Sequence, residues 1–330
     1  MNKKNISISL LKIIACFAVV ALHTQRNMKL HIVNNEILYY FSRFAIPIFF
    51  MVNGYLISIK KRTNNYYLKK IMNFGLFILL WSCLFGIIKF TNPISIFIKS
   101  IFSKGPLAIF WFFWALILIY IFIIIFNNVI EKNKNILFFI FLFISLSIDF
   151  IQLIILFKKH FFIQSYIPQT FRLWTWLTYF YLGNLIKSKN CLLSYSKSKK
   201  ILSIIVFLIL SIISVLFQHY LFMIFTNIIN SEYIYCNLII FLWSSSLFLM
   251  VFNLNINNSK LISVINFIED KIIGIYIMHI LILKIHDFTS NANGPLYSIS
   301  VWVIIISLSI IITYILSLNK YTKKLVSIGN

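Results

Sequence analysis

Apolar residues in this 330-residue chain come in long contiguous blocks separated by short polar runs. The blocks fall at about 6–25, 37–58, 69–90, 108–127, 136–157, 171–187, 200–220, 235–253, 267–285 and 298–318. Most reach the roughly 20 residues an α-helix needs to cross a 30 Å hydrocarbon core. Strand-like alternation is absent, so the blocks predict helices and not barrel strands. The pattern predicts an all-α, polytopic membrane protein of about ten transmembrane helices. It also predicts a single integral-membrane domain over 1–330 with no soluble domain, because the polar stretches between blocks run only to about 15–20 residues. The first block follows Lys3 and Lys4 and looks like a secretion signal. No small-residue cleavage site follows it, which predicts an uncleaved first helix.

Composition agrees: 61% of residues are hydrophobic and 11% charged, against the roughly 25% charged of a soluble protein. Charge then orients the chain. With the N-terminus inside, the inner loops hold Lys60, Lys61, Arg62, Lys69 and Lys70, and also Lys187, Lys189, Lys197, Lys199 and Lys200. Counted over all loops, the inner set carries roughly twice the Lys and Arg of the outer set, which predicts both termini in the cytoplasm. The formal net charge of +23 would suggest nucleic acid in a soluble protein. Here it follows from loops that face anionic lipid, so the partner is the bilayer and not nucleic acid. Cys16, Cys83, Cys191 and Cys236 form no CxxC pair, and no disulfide or metal site is expected. No GxGxxG or P-loop marks a nucleotide-binding domain.

Polar residues inside the blocks carry the functional signal, because an ionisable group in a membrane helix costs roughly 2.5–3.5 kcal/mol and faces protein by default. Lys12 and His23 lie eleven residues apart in the first block, on one helix face and about 16 Å apart along its axis. Lys12 could also snorkel to the interface. Arg43 opens the second block and is followed by Pro47, Asn53 and Gly54, a combination that suggests a lined cavity. Arg172, Trp176, Tyr179 and Gly183 share a face in the sixth block, although an aromatic belt at the interface explains the Trp and Tyr as well. Tyr276 and His279 lie in the ninth block, with His286 on the same face as His279. A single His in such a helix is more often structural than catalytic.

These motifs, taken in order, resemble the integral-membrane acyltransferases of the acyltransferase-3 type. The family's first helix has an Arg, ten residues and a His in a setting that residues 11–23 fit. Its R-F-x-x-P-x-F-F-x-x-S/N-G-Y/F signature matches residues 43–55. Trp111-Phe112, residues 179–183 and residues 275–279 match as well. Two positions depart: the family's usual Asp is Ser9, and its Arg is Lys12, which keeps the charge but loses the planar fork. The resemblance implies a multi-pass protein of the bacterial inner membrane. It would move an acyl group, by resemblance acetyl, from cytoplasmic acyl-CoA to a hydroxyl of a cell-surface or lipid-linked glycan. No cofactor is implied beyond acetyl-CoA as donor substrate, and no metal. It gives His23 the role of general base or transient acyl carrier, with Arg43 stabilising oxyanion charge or orienting the acceptor. Lys12 would serve the donor, and Asn53, Tyr276, His279 and Arg172 would line the cavity. A proton-coupled transporter or flippase of a lipid-linked saccharide, and a binding subunit without chemistry, are the alternatives.

The charge pattern makes a direct prediction. Single cysteines placed in loops 91–107 and 286–297 should react with an impermeant maleimide from outside the cell, and those in 60–68 and 188–199 should not. External labelling of a cysteine at Ser196 would overturn the orientation.

Overall fold

In a computed structural model, which describes residues 5–27, 36–59, 62–188, 197–224, 233–285 and 295–329, the blocks are helical and no strand occurs among the described residues. His286, Cys191, Lys60 and Lys61 lie outside the described residues. The elements are α1 (Ile6–Asn27), α2 (Glu36–Phe41), α3 (Ala45–Ile57), α4 (Asn64–Lys89), α5 (Pro93–Ile101), α6 (Trp111–Ile125), α7 (Asn127–Lys159), α8 (Leu173–Ser188), α9 (Lys197–Ile224), α10 (Leu238–Phe252), α11 (Ser259–Glu269), α12 (Ile272–Ile285), α13 (Pro295–Leu318) and α14 (Lys323–Val326).

Seven stretches among the described residues are long and apolar enough to cross a membrane, as a polytopic membrane protein requires. The expected count of ten divides. Blocks 171–187, 235–253 and 267–285 form helices of only 16, 15 and 14 residues, about 21–24 Å long and short of a full hydrocarbon core. Polar residues cut them back. Arg172 precedes α8, Asn237 caps α10, and Asp270 and Lys271 separate α11 from α12.

Helix starts are set by asparagine. Asn5 accepts from the Ser7 amide at 3.1 Å, Asn92 from Ile94 at 2.9 Å, Asn237 from Ile239 at 2.9 Å and Asn258 from Leu261 at 3.1 Å. Each side chain satisfies an amide that the helix leaves open. Pro47 sits in the first turn of α3, where its missing N–H costs nothing. The break in the second block therefore lies earlier than Pro47, at Ser42-Arg43-Phe44.

The chain divides into two compact units, Met1–Val52 with Asn190–Ser327, and Asn53–Lys189 with Ile328–Asn330. In the first, α1 packs on α10, α11, α12 and α13. Its small and apolar buried residues, Leu11, Ala15, Cys16, Val20 and Ala21, allow close helix approach. Trp302 ties α13 to α1 by donating Nε1–H to the Phe17 carbonyl at 2.9 Å. The short α2 is held on α9 and α10. Gln218 Nε2 donates to the Tyr40 carbonyl at 3.3 Å, and Trp243 lies edge-on to Phe41 and Phe44 with centroids 5.8 and 5.2 Å away.

In the second unit, α4 packs on α5 and α6, and α8 on α6 and α7. Trp111 and Trp176 bring α6 and α8 together, with centroids 5.2 Å apart. Helix α3 reaches α8 through Gly54, where a Cβ would stand 1.8 Å from the Phe180 carbonyl oxygen.

The glycines form a graded test. Gly54→Ala should destabilise by more than the about 1–3 kcal/mol usual for overpacking, because the obstacle is backbone. Gly274→Ala meets only the Thr313 side chain, with Cγ2 at 2.2 Å, and should cost less. Gly75→Ala meets nothing within 4 Å and should be neutral, or stabilising by ~0.5–1 kcal/mol. Thermal unfolding in detergent, followed by size-exclusion, gives the order; a Gly54→Ala protein as stable as Gly75→Ala would refute the packing argument.

Candidate active site

Helix α1 is unbroken from Ile6 to Asn27, so the Lys12 to His23 spacing of about 16 Å holds. Each of the two meets the α11–α12 segment. Lys12 Nζ lies 2.7 Å from Glu269 Oε1, an ion pair whose side chains are 26% and 10% exposed. His23 faces His279 with ring centroids 5.3 Å apart. Eleven residues separate the two on α1, and ten separate their partners. Helices α1 and α12 therefore run parallel, as the first and ninth of ten alternating spans would. Glu269 and Asp270 close α11 at the negative end of its dipole. There they need cationic neighbours, and Lys12 supplies one.

His279 is fully buried, and its Nδ1 is 3.0 Å from the Ile275 carbonyl. A carbonyl can only accept, so in the neutral ring the proton sits on Nδ1 and the lone pair on Nε2. That Nε2 is buried with no hydrogen-bond partner among the described residues. The Tyr276 ring lies 6.1 Å from His279, and Cys16 packs against the start of α12, one turn before Tyr276, through its contact with the Ile272 carbonyl at 3.8 Å. His23 itself is half-buried at the end of α1. Two imidazoles from different helices, one with an open lone pair, form a constellation that can accept and hand on a proton.

Arg43 sits in the break between α2 and α3 and is completely buried. Its guanidinium carbon lies 4.9 Å from the Tyr39 ring centroid and 5.3 Å from that of Tyr40. Tyr235 also lies within electrostatic range, and Tyr39 offers the nearest polar partner. Yet none of the three guanidinium nitrogens makes a hydrogen bond of acceptable geometry among the described residues. Cation–π contact returns about 2 kcal/mol when desolvated. An uncompensated buried charge costs about 3–5 kcal/mol. The rings alone do not balance the charge.

Asn53 and Arg172 belong to the second unit. Asn53 is half-buried on α3. Arg172 precedes α8 and gives its donors to backbone: Nε to the Ile167 carbonyl at 3.0 Å, and Nη2 to those of Ile167 and Gln164. Trp176 donates to the Gln169 carbonyl at 2.6 Å. Both therefore meet the turn at 163–171, although Arg172 itself precedes α8 with non-helical backbone and so lies off the helix face expected for it. Whatever else Arg172 lines, it holds this turn.

Sequence reasoning passed over four residues. Glu269 was detectable as one of only seven acids in the chain. Tyr39 and Tyr40 precede Arg43 by four and three residues, the spacing of helical neighbours. Tyr235 follows no local pattern; the fold alone brings it to Arg43.

A family model described as an acyltransferase domain matches residues 5–318, which takes in both units. No curated protein and no solved structure matches the chain. With nearly its whole length covered by that one model, the polytopic chain belongs to the acyltransferase-3 family of membrane acyltransferases.

Proposed function

We propose that this membrane acyltransferase moves an acetyl group from cytoplasmic acetyl-CoA to a hydroxyl of a cell-surface or lipid-linked glycan, in the inner membrane of a bacterium. The observation that supports this reading best is the His23–His279 pair, centroids 5.3 Å apart, at the opposite end of α1 from Lys12. A sugar hydroxyl is a weak nucleophile at neutral pH and needs a base. His23, half-buried, takes the hydroxyl proton as the oxygen attacks the thioester carbonyl. The C–S bond then breaks, the ester forms, and the thiolate leaves with a proton returned from imidazolium. His279, its Nδ1–H held by Ile275, keeps a second lone pair beside His23 to share that proton. Arg43 orients the acceptor or stabilises developing oxyanion charge. Lys12 serves the donor, whose thioester and phosphates arrive from the cytoplasmic end, with Glu269 fixing its ammonium. Tyr276 lines the cavity beside His279.

Mass spectrometry of cell-surface glycans with and without the gene tests the reaction. Loss of an acyl ester is expected; unchanged glycans, with a defect in saccharide export instead, would favour a transporter. His23→Ala and His23→Gln should insert normally but lower ester per unit of folded protein by about 10²–10⁴-fold. Full acylation by His23→Gln would remove His23 as base and pass that role to His279.

Lys12→Arg should keep or raise activity, because it restores a planar fork and can still pair with Glu269. Lys12→Ala should raise the donor KM about tenfold, a loss of ~1.4 kcal/mol. Wild-type donor KM and kcat in Lys12→Ala would end the donor-side assignment.

A further inference from the structure

We propose that Arg43, walled by Tyr39, Tyr40 and Tyr235, is an anion subsite, and that the group it receives is a carboxylate or phosphate carried by the acyl acceptor. The assignment to an acceptor rests on the acyl-transfer reading; the subsite itself does not.

Three observations carry it. Arg43 is the largest charged group among the fully buried side chains of the described residues, and its three nitrogens make no hydrogen bond of acceptable geometry there beyond the weak one to Tyr39. It stands immediately before α3, a 13-residue helix. The positive end of that dipole makes a second cation less welcome and an anion more so. Two phenol rings face its guanidinium, Tyr39 at 4.9 Å and Tyr40 at 5.3 Å. These are uncharged, and such rings also stack on sugar faces.

The chemistry then selects the ligand. A guanidinium presents a planar fork that matches a carboxylate or phosphate bidentately. A transient oxyanion would use one or two donors, and only in the transition state, which leaves the charge unanswered in every resting complex. A permanent anion on the bound substrate answers it throughout. The position selects the source. Helix α2 is the next described element after the His23 end of α1 and packs on α1, which points to the acceptor as the source. The acceptor is therefore an acidic saccharide, either a uronic-acid unit or a sugar joined through phosphate.

The test uses full-length protein in phosphatidylcholine nanodiscs and two matched probe pairs. One pair is an oligosaccharide with a single glucuronate and its carboxyl-reduced counterpart. The other is a sugar 1-phosphate and the free sugar. Binding is measured without donor, then acetyl transfer with acetyl-CoA. Wild type should bind an anionic member at least tenfold more tightly than its neutral match. Arg43→Gln should erase that difference, and Arg43→Lys should retain part of it. In turnover, the preference should appear in KM and not in kcat. Equal wild-type binding of both members of each pair would overturn the subsite, with or without a stable variant. So would an undiminished preference in Arg43→Gln. If Arg43→Gln alters only the response to phosphatidylglycerol in place of phosphatidylcholine, the anion is a lipid headgroup and the acceptor assignment falls. An anionic preference without any transfer would uphold the subsite and sink the acyl-transfer reading. Transfer to both members with equal KM would do the reverse.

Discussion

Hydrocarbon supplies no hydrogen bonds, so each polar group carried into the bundle has to be answered from within the chain. Almost every local feature follows from that demand. Asparagines close the starts of α1, α5, α10 and α11. Buried hydroxyls turn back on their own helices, as Ser82 does to the Ile78 carbonyl at 2.8 Å and Ser211 to that of Phe207 at 2.7 Å. Indoles reach across to other elements: Trp243 to Ser211 at 2.8 Å, Trp302 to Phe17 at 2.9 Å. Even Arg172 is answered, by two backbone carbonyls. The exceptions gain meaning from this background. Several buried polar atoms stay without a good hydrogen bond among the described residues, and two of them, the Arg43 guanidinium and the His279 Nε2, belong to groups with the chemistry to bind an anion or move a proton.

That contrast also explains how far the sequence could be read. Contiguous apolar blocks announced helices and a membrane, because length and hydropathy are local properties. The extents of α8, α10 and α12 were less legible. Apolar residues continue past their ends, whereas the backbone stops where Asn237 or the Asp270-Lys271 pair offers an alternative to helical hydrogen bonding. The break in the second block belongs to Ser42-Arg43-Phe44 and not to Pro47, because proline in a first turn interrupts nothing. At the candidate site, Lys12, His23, Arg43 and His279 were visible as polar residues in apolar surroundings. Their pairings were not. The Lys12–Glu269 contact spans 257 positions, and no periodicity reports a contact between helices so distant in sequence.

Parallel packing of α1 and α12 links these contacts into one arrangement. An ion pair at one end and an imidazole pair at the other fix both register and direction. A shift of α1 by one turn, about 5.4 Å, would break both contacts at once. The two ends also differ chemically. Lys12 and Glu269 form a tight pair of opposite charges, suited to holding geometry. His23 and His279 are two bases with no permanent charge between them, suited to moving a proton. One helix thus presents an ion pair and an imidazole pair at opposite ends.

The two departures from the family pattern fit together in the same frame. The resemblance places an Asp one turn before an Arg on the first helix, an arrangement in which carboxylate and guanidinium can meet along one face. Here Ser9 carries no charge and points its hydroxyl toward the Asn5 carbonyl at 3.4 Å. The acid that answers position 12 comes instead from Glu269, at the end of α11. The local charge balance is kept while the partner moves from the same helix to a neighbouring one. A lysine suits that change. Its slender stem and single ammonium reach a carboxylate across a helix interface, whereas a planar fork is best matched by a partner set squarely in front of it. In this chain Lys12 draws its carboxylate from a residue ten positions before His279. The ion pair and the imidazole pair thus both join α1 to the α11–α12 segment.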